Sequence, residues 1–261
     1  MSFIDTHCHL AWGIDDGFQE MEDSESALRV MEKDGITTVI ATPHFVPGQL
    51  DDEIIRAMDE RINDLRMLAR PYNVKVYEGC ELFLNHEYLD ALENGQYHTL
   101  ANSKYLLCEF DVRKNIKNND EVEDILYEIT VKGLTPVIAH VERYFHDGID
   151  IKRVQDWIDM GCKVQINRTS ILGMHGSTIQ KNAHKLIRSN MGHIIASDAH
   201  RPSGNRICLL SDVYQYVKDT YGEENADILM KRNPKHIIDD EELEDIQIEQ
   251  KKSIFRKLWR K

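Results

Sequence analysis

The chain has 261 residues, of which 41% are hydrophobic and 30% charged, and its formal net charge is −13. This balance is typical of a globular protein with one large α/β domain, and no apolar run approaches the about 20 residues that cross a bilayer. The negative charge disfavours a nucleic-acid partner, because no basic patch in the body of the chain offsets it. The N-terminus lacks a basic region before an apolar stretch, so we expect no secretory signal and a cytoplasmic protein.

Short apolar runs alternate with helical stretches along the chain. Four of the helical stretches are followed by a glycine, as is common at helix ends, namely Gly35, Gly133, Gly161 and Gly192. After the N-terminal run FIDTHCHL (3–10), the predicted strands are 36–42, 74–79, 104–110, 134–140, 162–167 and 193–200. Near-continuous apolar strands between helices predict a parallel sheet. Their number and even spacing favour a seven-stranded α/β barrel over an open sheet.

Two early helices can be placed from the pattern. Asp23 or Ser24 is expected to cap the first helix, which buries Leu28 and Met31. The second helix covers residues 51–70, and its apolar face comprises Ile54, Met58, Ile62 and Leu65. Both helices are therefore expected to pack on the barrel.

The C-terminal segment, 239–261, differs from the rest of the chain. Residues 239–250 are acidic, whereas 251–261 carry six basic residues and no acidic one. We therefore expect a catalytic domain over 1–238 and a separate tail. The basic segment is predicted to contact an anionic membrane surface or an acidic partner. The alternative is a terminal helix packed on the body, or a solvated tail.

Metal-capable side chains stand at the ends of six of the seven predicted strands. His7 and His9 lie two apart on the first strand, so both imidazoles point the same way and can share an ion. The others are His44, Glu81, Glu109, His140, Asp198 and His200. Because the carboxyl ends of barrel strands converge on one rim, these side chains predict a metal cluster. Mixed imidazole and carboxylate ligands suit Mn²⁺, Fe²⁺ or Zn²⁺.

Eight short motifs carry a family resemblance. In chain order they are HCH, GIDDG, ATPH, EGCE, LLCEF, AHVERY, QIN and ASDAH. This order resembles the PHP (polymerase and histidinol phosphatase) superfamily, and most closely its bacterial capsular-polysaccharide-type tyrosine-protein phosphatases. The resemblance runs from residue 4 to about residue 236, and GIDDG, HxERY and ASDAH are specific to that branch. It implies a distorted (β/α)7 barrel of the PHP type that binds three divalent ions. Mn²⁺ is the ion expected first, with Fe²⁺ or Zn²⁺ as alternatives.

The resemblance also implies which residues bind the ions and the phosphate. A first ion would take His7, His9, Glu81 and Asp198; a second Glu81, Glu109 and His140; a third Asp16, His44 and His200. Asp16 is preferred to Asp15, because it lies seven residues after His9. Arg143 and Arg206 match the arginines that bind phosphate.

The activity implied by the resemblance is that of a metal-dependent protein-tyrosine phosphatase, with a hydroxide bridging two ions as the nucleophile. The family usually dephosphorylates a membrane-associated bacterial tyrosine kinase that controls exopolysaccharide and capsule export. One departure is that the family's LPGIDDG segment reads Trp12-Gly13-Ile14 before its two aspartates. We expect this change to alter the pocket wall and hence the substrate preference.

Alternative functions stay open at this point. A small-molecule phosphomonoesterase, such as a histidinol-phosphate phosphatase, would use the same site, and a polymerase-type exonuclease would need a basic groove. Cys162 and Arg168 have the C-x5-R spacing of cysteine-based tyrosine phosphatases, although the residues between them resemble a strand. The five cysteines are scattered and lack CxxC spacing, which predicts reduced thiols. A non-catalytic metal-binding scaffold is the remaining alternative.

Overall fold

The computed structural model describes residues 2–248, in which strands alternate with helices. The strands are β1 Phe3–Cys8, β2 Ile36–Ala41, β3 His44–Phe45, β4 Lys75–Glu78, β5 Glu81–Phe83, β6 Tyr105–Glu109, β7 Thr135–Ile138, β8 Lys163–Asn167 and β9 Ile194–Ala196. The α-helices are α1 Met21–Asp34, α2 Asp52–Ala69, α3 Tyr88–Glu93, α4 Val122–Val131, α5 Ile151–Asp159, α6 Arg168–Ile171, α7 Ser177–Arg188, α8 Ser211–Tyr221, α9 Glu223–Asp227 and α10 Asn233–Asp239. No helix within this range is both long and apolar enough to cross a membrane.

The strands form a parallel barrel in chain order. Hydrogen bonds order them as β1-β2-β4 and as β3-β5-β6-β7-β8-β9, and each of these pairs is parallel. Residues 42–43 alone separate β2 from β3, and residues 79–80 alone separate β4 from β5, so each of these pairs is one strand with a break. The barrel closes where Cys8 bridges Ala199. The seven predicted strands and the distorted (β/α)7 barrel are therefore confirmed.

The first helix differs from the prediction at its start. The pattern predicts a cap at Asp23 or Ser24, whereas α1 begins at Met21. Ser24 is buried and donates its hydroxyl hydrogen to the carbonyl oxygen of Leu10 at 2.7 Å. Its side chain therefore ties α1 to the loop after β1 instead of capping the helix.

The second helix agrees with the prediction except at its first turn. Asp51 caps α2 by accepting the N–H groups of residues 53 and 54. Met58, Ile62 and Leu65 are buried, as predicted. Ile54 is wrongly placed by the pattern, since its side chain is 40% exposed and lines a cavity at the carboxyl ends of the strands. The apolar face of α2 extends beyond the part of the helix that packs on the core, so periodicity alone cannot distinguish Ile54 from a buried residue.

The glycines that follow helices have two different roles. Three of them have a positive φ after a helix end, as expected, namely Gly35, Gly133 and Gly161. After α7 the left-handed residue is Asn190, with a φ of 59°, and Gly192 has no such φ. A Cβ at Gly192 would lie 3.2 Å from Cδ1 of Ile166, so this glycine permits a close approach to β8.

Part of the predicted C-terminal tail packs on the barrel. Leu243 and Ile246 are buried, and the Glu244 N–H donates to Oδ1 of Asn233 at 2.7 Å. Residues 249–261, which include the basic segment 251–261, lie outside the described residues. The boundary after residue 238 therefore stays a prediction.

Candidate metal centre

The nine predicted ligands meet at the carboxyl end of the barrel. Three overlapping groups have ligand atoms within 4.8 Å of one another: His7, His9 and Asp198; His44, Glu81 and Glu109; and His9, Asp16, His44 and His200. His140 joins them through Glu81, because its Nε2 lies 3.0 Å from the Oε1 of Glu81. The strand ends therefore converge as the barrel predicts.

Glu81 lies at the centre of this cluster. Its Oε2 atom lies 3.1 Å from Nε2 of both His7 and His9, and 3.2 Å from Nδ1 of His44. Its Oε1 atom faces His140, on the other side of the carboxylate. One carboxylate thus faces two groups of imidazoles, as a carboxylate that bridges two ions would.

The donor atoms suit divalent ions. They are imidazole nitrogens and carboxylate oxygens, the ligands preferred by Mn²⁺, Fe²⁺ and Zn²⁺. Ligand bonds of about 2.0–2.2 Å bring neighbouring donors around one ion to spacings like those seen here. The cluster therefore fits the expected ions, while the assignment of each ligand to an ion stays a prediction.

The GIDDG loop contributes two aspartates with different surroundings. Oδ1 of Asp16 lies 3.4 Å from Nε2 of both His44 and His200, which is where the third group was predicted. Oδ2 of Asp15 instead accepts the backbone N–H of His44 at 2.9 Å and lies 2.7 Å from Nδ1 of His9. Because a carboxylate only accepts there, Nδ1 of His9 carries the proton and its Nε2 is free to bind an ion.

Strand β8 supports the cluster without supplying a ligand. Oε1 of Gln165 accepts the backbone N–H of His140 at 3.0 Å, so His7 Nδ1, also at 3.0 Å, must donate to it. This bond leaves Nε2 of His7 free to bind an ion. Nε2 of Gln165 then donates to Oδ1 of Asn167, and Nδ2 of Asn167 donates to Oδ2 of Asp198 at 2.6 Å. The one predicted strand without a metal-capable end thus orients three of the predicted ligands.

Sequence reasoning does not assign these roles to Asp15, Gln165 or Asn167. The signal that could have found the latter two is a pair of uncharged polar residues, two apart, that alternate with the apolar residues of a strand. Residues two apart on a strand share a face, and two buried polar side chains on one face require partners.

Two ligand positions have strained backbones. His140 and Asp198 have φ angles of 32° and 50°, in the left-handed region that non-glycine residues rarely adopt. Such conformations cost about 1–3 kcal/mol each and cluster at functional sites. Here the bonds of His140 to Gln165 and of the Asp198 N–H to the His7 carbonyl hold both residues in place.

The carboxylates create a strongly negative environment. Burial lowers the pKa of His7, but the charges of Glu81 and Asp198 outweigh burial and raise it to about 9. Burial also lowers the pKa of His44, yet the charge of Glu81 and a bond to Asp16 raise it to about 10. Protons on these imidazoles would compete with ions for the same carboxylates, so ion binding is expected to release protons.

Two arginines border the cluster beside Asp198. Nη2 of Arg206 donates to Oδ1 of Asp198 at 2.8 Å, and Nη1 of Arg143 donates to Oδ2 at 3.4 Å. Their side chains are 30% and 19% exposed, so both reach the surface of the site. Two guanidinium groups are thus held at the edge of the cluster by one carboxylate.

The cysteine-based alternative does not fit the structure. Cys162 is fully buried, and burial raises its pKa to about 12, whereas a nucleophilic thiol needs a lowered pKa. The next five residues form strand β8 rather than a phosphate-binding loop. Arg168 is buried and pairs with Asp212 at 2.6 Å. All five cysteines are free and buried, as expected.

The chain is similar to known proteins over nearly its whole length. The family model of the capsular polysaccharide synthesis proteins CpsB/CapC matches residues 3–239. The tyrosine-protein phosphatase CpsB of Streptococcus pneumoniae is 29% identical over 245 residues, covering 91% of this chain and 99% of the relative. The tyrosine-protein phosphatase YwqE of Bacillus subtilis is also 29% identical, over 240 residues, 87% of this chain and 91% of the relative.

The structural similarity extends over nearly the whole chain. A crystal structure from a study of YwqE of Bacillus subtilis and CpsB of Streptococcus pneumoniae, described there as unique metal-dependent tyrosine phosphatases, has a TM-score of 0.82 to this structure. The two are 26% identical, and the match covers 95% of this chain and 99% of that chain.

Proposed function

Since the chain belongs to the CpsB/CapC family of capsular polysaccharide synthesis proteins, we propose that it is a metal-dependent protein-tyrosine phosphatase. The observation that carries this proposal is the convergence of nine nitrogen- and oxygen-donor side chains and two arginines on one rim of the barrel. The alternative of a non-catalytic scaffold would not explain why the two arginines stand beside the cluster.

The residues fall into three proposed ligand sets. We assign the first ion to His7, His9, Glu81 and Asp198, the second to Glu81, Glu109 and His140, and the third to Asp16, His44 and His200. Mn²⁺ is the proposed ion, with Fe²⁺ and Zn²⁺ as close alternatives. When bound, such ions supply Lewis-acid stabilisation of phosphoryl charge and lower the pKa of water from 15.7 toward about 7.

Arg143 and Arg206 bind the phosphate in this proposal. Each guanidinium can donate two parallel N–H bonds to phosphoryl oxygens, and these bonds strengthen as negative charge develops there. Asp198 holds both arginines at the cluster, so the phosphate is oriented before it reacts. A tyrosine leaving group has a pKa of about 10, so it needs little help from a general acid.

The proposed partner is a phosphotyrosine protein, specifically a membrane-associated bacterial tyrosine kinase of capsule or exopolysaccharide synthesis. The family's description as capsular polysaccharide synthesis proteins supports this role. Acting on such a kinase would place the protein in the cytoplasm. We further propose that the basic segment 251–261 guides the enzyme to the membrane surface beside that kinase. If deleting 251–261 leaves kinase dephosphorylation unchanged at physiological salt, the segment has no such role.

The proposed substrate class is tested by phosphate release from a phosphotyrosine peptide and from histidinol phosphate, measured in parallel on the Mn²⁺-loaded protein. We expect a higher kcat/KM for the peptide. A higher kcat/KM for histidinol phosphate would keep the metal site but overturn the protein-tyrosine phosphatase, and would select the small-molecule phosphomonoesterase.

A further inference from the structure

A cavity of about 590 Å³ opens beside the metal centre. Asp16, His44 and Glu109, three of the proposed ligands, form one part of its lining. Apolar side chains form most of the remainder, notably Ile14, Val46, Leu50, Ile54, Phe83 and Val112. Arg143 and Arg206 do not line it. The cavity therefore adjoins the metal centre on the side of Asp16, His44 and Glu109.

Part of this apolar lining lies outside the hydrophobic core. Among the described residues, Val46, Ile54 and Phe83 belong to neither hydrophobic core cluster, although all three line the cavity. Ile54 is 40% exposed. Apolar surface left open next to a reactive centre is typical of a ligand-binding wall.

Phe83 is a lining residue that shares a strand with one proposed ligand and pairs with another. It lies two residues after Glu81 on β5, and alternation along a strand puts both side chains on the same face. In the sheet it pairs with Glu109 of β6, another proposed ligand. Phe83 therefore follows Glu81 on the same face of β5, two residues nearer the carboxyl end of the strand.

From this arrangement we infer that the cavity is the subsite for the aromatic ring of the substrate, and that Phe83 sets a preference for aryl over alkyl phosphoryl groups. The inference rests on the proposed phosphatase function. Aromatic rings pack well against one another in offset or edge-to-face geometry, and the aliphatic side chains of Val46 and Val112 complete an apolar wall. The cavity is larger than one ring and leaves room for a peptide residue next to the phosphotyrosine.

The subsite can be tested by binding, without relying on turnover of the aromatic group. Inhibition constants for phenylphosphonate and methylphosphonate would be measured on the Mn²⁺-loaded enzyme. We expect the wild type to bind phenylphosphonate more tightly. In Phe83→Ala the ratio of the two constants falls about tenfold, because an apolar contact in a pocket discriminates by about that factor. Val46→Ala, a second wall variant, reduces the ratio in the same direction.

The matched control is Val131→Ala on α4, an apolar residue that is 66% exposed and does not line the cavity. Its inhibition ratio should equal that of the wild type. The subsite is overturned if the wild type binds both phosphonates equally, or if neither wall variant changes the ratio. Failure of the phosphatase proposal is read separately, from a preference for histidinol phosphate as substrate, so the two outcomes are distinguishable.

Discussion

Replacing Glu81 with glutamine is expected to lower kcat/KM for a phosphotyrosine peptide about 10³-fold. The carboxylate faces His7 and His9 through one oxygen and His140 through the other, so the amide would weaken two ion sites together. Lewis-acid stabilisation by a bound ion is worth several kcal/mol, and about 4 kcal/mol corresponds to this factor in rate. Steady-state kinetics and the metal content of the purified variant would measure the effect.

The matched control is Glu78→Gln, the same change three residues earlier. Glu78 pairs with Arg66 at 2.8 Å, both side chains are partly exposed, and surface pairs of this kind contribute about 0–1 kcal/mol to stability. Its kinetics should stay within about twofold of the wild type. If the Glu81→Gln variant retains the metal content and the activity of the wild type, the central role given to this carboxylate is contradicted.

Lysine in place of Arg206 or Arg143 is expected to lower kcat/KM about 10²-fold while leaving the metal content unchanged. A lysine keeps the positive charge but loses the planar pair of donors that matches phosphoryl oxygens. Removing one such donor from a charge-stabilising site typically costs a factor of about 10²–10³. The comparison needs kinetics and metal analysis on the same preparations.

Arg29→Lys provides the control for that pair of variants. Arg29 is an exposed residue of α1 that pairs with Glu25 one turn earlier, so its replacement should have no kinetic effect. If Arg143→Lys and Arg206→Lys are as active as Arg29→Lys, the phosphate is not bound by these arginines. A loss of ions in either variant would instead indicate that the arginine maintains the ligand geometry through Asp198.

The barrel and the convergence of the metal-capable side chains could be predicted because both depend on local patterns. Each strand is a short apolar run, and residues at its carboxyl end must lie on the same rim as those of its neighbours. His44 and Glu109 illustrate this, since they are 65 positions apart in the chain and yet Nδ1 of His44 lies 3.7 Å from Oε2 of Glu109. The choice of Asp16 over Asp15 depended on the family resemblance, and the side chain of Asp16 does face His44 and His200.

The supporting contacts could not be predicted, because they depend on which strands become neighbours. Gln165 supports His7 and His140 only because β8 lies beside β7, and because only β9 separates β8 from β1 in the closed barrel. The role of Asp15 depends on how the loop folds back onto His9. The pattern likewise assigned Ile54 to the core, since it has the right helical period, although the buried face of α2 begins one turn later, at Met58.

The most direct test of the account is phosphate release from a phosphotyrosine peptide before chelation, after chelation, and after Mn²⁺ is restored. We expect activity to disappear with the ions and to return with them, while the chelated protein stays folded by circular dichroism. Activity that survives complete removal of divalent ions, verified by metal analysis, would contradict the metal centre as the source of catalysis.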